Sequence, residues 1–202
     1  MTFRMGALLG CLCFSAVGNV HPQDPSLFAD LRLYEGMLER LLQHEVQPRS
    51  SEIELRYTHS NAGEMQIVAH RLSNDDFRLE VRYVPAGSPT LWNQLAKVAT
   101  SQPTLTPEGA AQLMKIEQKR VVAKRGTPLG KLLDAAESVS IPVVNRNLFP
   151  LEGMKYGFAL RSAMEEITLT IWGPQAPEKS EYELIRWMGQ VRLGVETLLK
   201  GS

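Results

Sequence analysis

The chain has 202 residues, and its 22 lysines and arginines balance 22 aspartates and glutamates, so the formal net charge is zero. Such a balance provides no long-range field to draw in nucleic acid or an anionic membrane surface. The length suits one domain with a core large enough to hold without covalent help.

Both cysteines lie near the start. Arg4 supplies a positive n-region, Met5 to Val17 is an uninterrupted weakly apolar run, and Ala16-Val17-Gly18 places small residues before a cleavage point. This layout predicts a secretory signal peptide over 1–18, leaving a single α+β domain over 19–202 in a secreted or periplasmic location. The run is too short to cross a bilayer, which takes about 20 apolar residues. Leu8-Leu9-Gly10-Cys11 also fits a lipobox, so lipid anchoring through Cys11 is the alternative. Against it, the apolar run ahead of Cys11 falls short of the roughly 7 residues of an h-region. Cleavage after Gly18 removes Cys11 and Cys13 together, so the exported domain has no disulfide. It also removes Arg4, leaving 21 basic against 22 acidic residues.

Asp24-Pro25 reads as an N-cap with proline at the first helical position. Leu27, Leu31, Tyr34, Leu38 and Leu41 then recur at steps of four and three, which predicts a helix over 25–44 with one apolar stripe. The stripe suits packing on the domain's own sheet; its two heptads would also serve as the seam of a homodimer. Gly36, off the stripe, marks the least secure turn, since glycine costs a helix about 1 kcal/mol relative to alanine.

Over 52–84 the period changes to two. Ile53, Leu55 and Tyr57, then Met65, Ile67 and Ala69, then Phe77, Leu79, Val81 and Tyr83 alternate with polar residues, which predicts a three-stranded meander. Its turns are Asn61-Ala62-Gly63 and Asn74-Asp75, residues that tolerate left-handed backbone. All the odd-numbered apolar positions share one face.

Helices are predicted over 88–100, from Thr106-Pro107 to about 116, and from Thr127-Pro128 onward. Residues 119–124 fit either a continued helix or a strand, because Val121 and Val122 favour the latter. A hairpin follows, with Tyr156, Phe158 and Leu160 alternating against Arg161 and its neighbours, then Ile167, Leu169 and Ile171. Ser180-Glu181-Tyr182-Glu183 has the form of a capping box before a closing helix that buries Leu184, Met188, Val191, Val195 and Leu198. The expected class is α+β: a single antiparallel sheet of about five strands with helices packed on one face. This element order is similar to that of small homodimeric chaperones of bacterial secreted effectors, a likeness of order alone, with no motif behind it.

No Gly-x-Ser-x-Gly, His-Glu-x-x-His, P-loop or dinucleotide fingerprint occurs, and the exported domain keeps no cysteine. His59 and His70 flank one hairpin on opposite faces of the sheet, which excludes a shared metal; the predicted turn sets Glu54 opposite His70. Arg56, His70, Arg78 and Arg82 gather on the polar face of the meander, with Glu54 and Glu80 among them. These four are the candidate ligand-binding residues, because guanidinium forks match carboxylates. A solvated face of alternating charges is the plainer expectation. Asp75-Asp76 reads as a turn, and Trp92, Trp172 and Trp187 as core or rim residues.

Cleavage after Gly18 would expose Asn19-Val20-His21, whose amine, two amides and His21 imidazole make a square-planar site for copper(II) or nickel(II). No cofactor is required by anything else in the chain. The sequence therefore predicts a secreted or periplasmic non-catalytic binding protein for a protein partner or an envelope component, without affinity for nucleic acid. The alternative is a secreted hydrolase with a site on the open face of the 52–84 sheet.

Overall fold

The computed structural model describes residues 25–43, 51–58, 63–102, 104–140, 154–162 and 165–201. The signal region 1–18, Cys11, His21 and His59 lie outside them. The elements are α1 (Pro25–Leu41), β1 (Glu52–Thr58), β2 (Met65–Arg71), β3 (Phe77–Tyr83), α2 (Leu91–Ala99), α3 (Pro107–Leu113), β4 (Glu117–Ala123), α4 (Pro128–Asp134), β5 (Met154–Arg161), β6 (Glu166–Gly173) and α5 (Glu183–Lys200). The strands form one sheet in the order β4-β3-β2-β1-β5-β6, antiparallel at every pairing. The class is α+β with a single sheet, as predicted. The sixth strand is β4, in the segment whose sequence fits either a helix or a strand, and Val121 and Val122 lie within it.

Alternation sets the faces. Leu55, Tyr57, Ile67, Leu79 and Val81 are fully buried on the odd-numbered face, together with Tyr156 and Phe158 of β5. Over them lie Leu184, Met188, Val191 and Val195 of α5 and Leu129 and Leu133 of α4. Trp187 is buried here too, its indole N–H donating to Leu132 O at 2.9 Å. Thr90, Thr106 and Thr127 cap their helices, each hydroxyl accepting from the backbone N–H three residues on, and Pro107 and Pro128 sit in the first turn.

A second core joins α1, α2 and α3 through Tyr34, Met37, Leu38, Leu42, Leu91, Leu95 and Ala110. The buried part of the α1 stripe therefore packs within its own chain, while Leu31 is exposed. Gly36 has a packing role: a Cβ there would come within 3.0 Å of Pro107 Cγ, so glycine lets α1 and α3 approach closely. A buried carboxylate ties this core to the sheet. Glu64 Oε1 accepts from Tyr34 OH at 2.7 Å and its Oε2 accepts from Leu91 N, at the start of α2, at 3.0 Å. One residue earlier, Gly63 O accepts from Arg192 of α5 at 3.1 Å.

Two local expectations are corrected. Glu54 does not face His70: the pairing is Glu52 with His70 and Glu54 with Val68. The observed register differs by two from the one that the predicted turn sets, and a shift of two keeps every residue on its face, so every face assignment survives the error. Nor does Ser180 open a capping box. Its Oγ accepts from Tyr182 N at 3.2 Å, and α5 begins at Glu183 with Tyr182 as N-cap and no side-chain cap. The 3-10 turn at Pro177–Lys179 turns the chain before Ser180, whose hydroxyl is spent on Tyr182 N just ahead of the helix. At Asn74-Asp75 the prediction holds, with Asp75 at φ 63° and Asn74 Oδ1 accepting from Asp76 N at 3.2 Å.

Candidate functional site

The even-numbered face of the meander carries the four candidate residues, and strand pairing extends it with Lys155, Gly157 and Arg161 of β5 and Thr168 and Thr170 of β6. It is not the solvated face that the alternating charges predict. Glu52, Glu54, Gln66 and His70 are 0%, 2%, 1% and 5% exposed. Carboxylates so far from water must be compensated in place.

Arg161 does most of that. Its guanidinium donates to Glu52 Oε1 at 2.8 Å, to Glu54 Oε2 at 3.0 Å and to Glu166 Oε1 at 2.8 Å. Glu54 Oε1 also accepts from Gln66 Nε2 at 2.7 Å and from Arg56 Nε. Burial alone would raise the pKa of Glu54. The Arg56 charge and the hydrogen bonds from Arg56, Gln66 and Arg161 outweigh it, and the carboxyl is held below its ordinary range. A carboxylate so held stays ionised at neutral pH and is poorly suited to donate a proton.

The predicted ligand residues separate into different roles. Arg82 donates to the carbonyls of Leu41 and Gln43, the former at 3.3 Å, and so satisfies the C-terminal end of α1. His70 lies between its strand partners Glu52 and Arg78, with its Nδ1 3.6 Å from Glu52 Oε2. Arg78 is half-buried, and its Nε makes no hydrogen bond among the described residues. Arg56 lines a cavity.

That cavity is a groove of about 200 Å³ between α1 and strands β1, β5 and β6. Arg56, Thr58, Lys155 and Thr170 line it from the sheet, and Glu35 and Leu38 from α1. Lys155 Nζ reaches both oxygens of Glu35, at 3.1 and 2.9 Å, and both side chains are partly exposed. Gly157 forms the floor. A Cβ there would meet Arg56 Cβ at 3.1 Å, so its absence lets the Arg56 stem lie flat across β5. Half-buried Trp172 is the strand partner of Lys155 on the same face.

Lys155 and Arg161 were not singled out by the sequence. Both alternate with the buried Tyr156, Phe158 and Leu160, which puts them on the polar face of their own strand. What could not be read is that β5 lies beside β1, about 100 residues away in the chain.

No helix among the described residues is long and apolar enough to cross a membrane. Nor, among those residues, do three or more histidines, cysteines, aspartates or glutamates gather as a metal site. No protein-family model, curated protein or solved structure matches the chain.

Proposed function

We infer that the protein is a non-catalytic binding protein, acting outside the cytoplasm, that takes a carboxylate-bearing group of a protein or envelope component into the groove between α1 and the sheet. The observation that carries this reading is the sorting of charge around Arg56. Its Nε is anchored on Glu54, which fixes the fork in place, while the side chain still lines an open groove beside Lys155, whose ammonium is held by Glu35. An anchored guanidinium loses little further freedom when it binds, and its planar fork matches a carboxylate. Leu38 and Leu42 supply an apolar wall, so the groove fits an acidic side chain with a short aliphatic stem.

Titration with an acetylated tri-glutamate peptide, read by tryptophan fluorescence, tests the assignment, because Trp172 neighbours Lys155 across the strands. Binding is expected for the glutamate peptide and not for its glutamine counterpart. Arg56→Ala should weaken it about tenfold or more, the usual worth of a hydrogen bond to a charged group. The fold should survive this change, since Glu54 keeps Gln66 and Arg161. Equal affinity in the parent and Arg56→Ala proteins would remove the groove from consideration. Export is read separately: the protein recovered from outside the cytoplasm should begin at Asn19, and a mass that retains residues 1–18 would contradict it.

A further inference from the structure

The two edges of the sheet are built differently. β4, at one edge, reads Glu-Gln-Lys-Arg-Val-Val-Ala, and its Arg120 pairs with Glu80 at 3.1 Å. β6, at the other, reads Glu-Ile-Thr-Leu-Thr-Ile-Trp-Gly, with Glu166 as its only charge and neither lysine nor proline. Among the described residues no strand pairs with the outer side of β6. Glu166, Ile167, Thr168 and Thr170 are exposed, Ile167 to 39%. Edge strands commonly carry lysine, proline or bulges that prevent pairing with another chain; β4 has the charge and β6 lacks every one of these.

We propose that β6 is the surface through which two copies of this chain join, antiparallel and two-fold symmetric, into one continuous sheet. The occupant follows from the strand's relation to itself. A two-fold axis normal to the sheet keeps each face on its own side, so a residue must pair with one of the same parity. Centring the axis at Leu169 or at Thr170 pairs seven residues of β6, and only at Leu169 does isoleucine meet isoleucine and threonine meet threonine. Ile167 then faces Ile171 of the second copy, Thr168 faces Thr170, and Glu166 faces Trp172. No like charges meet, and every contact on the core face is apolar. The same operation on β4, at the centre that pairs its whole length, would set Arg120 against Arg120, which disfavours that edge. Pairing β6 with β4 would be head-to-tail and open-ended, leaving a free edge at each end of a growing chain. Closure at β6 alone gives a dimer, with α4 and α5 of both copies on one side of the joined sheet. Thr170 also lines the groove, so the two grooves flank the axis.

Sedimentation velocity on the full exported chain over a range of concentrations tests this. The expected result is a monomer–dimer equilibrium without higher species. Combining Thr168→Lys with Thr170→Lys sets lysine against lysine at two symmetry-related pairs and should weaken the dimer about tenfold. Both side chains are exposed, so circular dichroism should be unchanged. Thr168→Glu combined with Thr170→Lys sets opposite charges at the same pairs and should restore a dimer that added salt weakens. A parent protein monomeric at every concentration overturns the proposal, as does a double-lysine protein that dimerises as strongly as the parent. Growth into longer polymers would show that β6 meets another edge, and overturns it equally.

Discussion

Leu79→Asp is expected to leave the protein unfolded in the absence of denaturant. Leu79 is fully buried in β3, one of the four inner strands, paired with Ala69 on one side and Val121 on the other. A carboxylate there faces α4 and α5 without a donor. Burying it unpaired costs several kcal/mol, comparable to the whole stability of a domain this size, about 5–15 kcal/mol. Arg78→Gln, one residue away on the opposite face, should cost about 1 kcal/mol, the centre of the range for point changes. Circular dichroism and urea titration of the two variants compare the faces directly, and equal losses would contradict the face assignment.

Arg161→Met should be nearly as damaging, for a different reason. It removes a donor shared by Glu52 and Glu54, leaving two buried carboxylates with less compensation, and breaking a buried ion pair from one side costs about 3–5 kcal/mol. The pH dependence separates this from a packing defect. Glu54 has a folded pKa below its ordinary value of 4.5, so its contribution to stability is fully present above that value and is lost as pH falls through the folded one. Without Arg161 the Glu54 carboxyl takes up a proton more readily in the folded state. The stability deficit of Arg161→Met should therefore narrow as the pH is lowered from neutral into the acid range. A deficit of the same size at every pH would mean that Arg161 acts through packing of its stem alone. Combining Arg161→Met with Glu52→Gln should recover part of the loss, because one buried charge is then gone.

The strands and their faces were legible because a period of two is local. Leu55, Ile67 and Leu79 each declare their side by their neighbours, and a register error of two moved the Glu52–His70 pairing without moving any residue to the other face. What the chain does with its polar face was not legible. Alternating Glu54 and Arg56, or Arg78 and Glu80, look the same in sequence whether they meet water or one another. The difference is made by Arg161 and by the end of α1, brought over the sheet from distant parts of the chain. Arg82 shows the limit most plainly: read as a ligand residue from its charge and parity, it is occupied by the carbonyls of a helix some 40 residues before it. Ser180 failed similarly, since a capping box is a local pattern and the 3-10 turn ahead of it had no signal of comparable strength.

The approach to β2 has a wider consequence. At Gly63 and Glu64, adjacent residues reach opposite layers, the first holding Arg192 of α5 and the second holding Tyr34 and the first turn of α2. Neither helical layer can lift from the sheet without disturbing these two neighbouring residues, and lifting α1 or α2 would break the hydrogen bonds that Glu64 accepts from Tyr34 and Leu91. The two cores are thus thermodynamically linked at a single hinge of backbone. They are expected to open together as one cooperative unit, where two separately packed layers would be free to open in sequence.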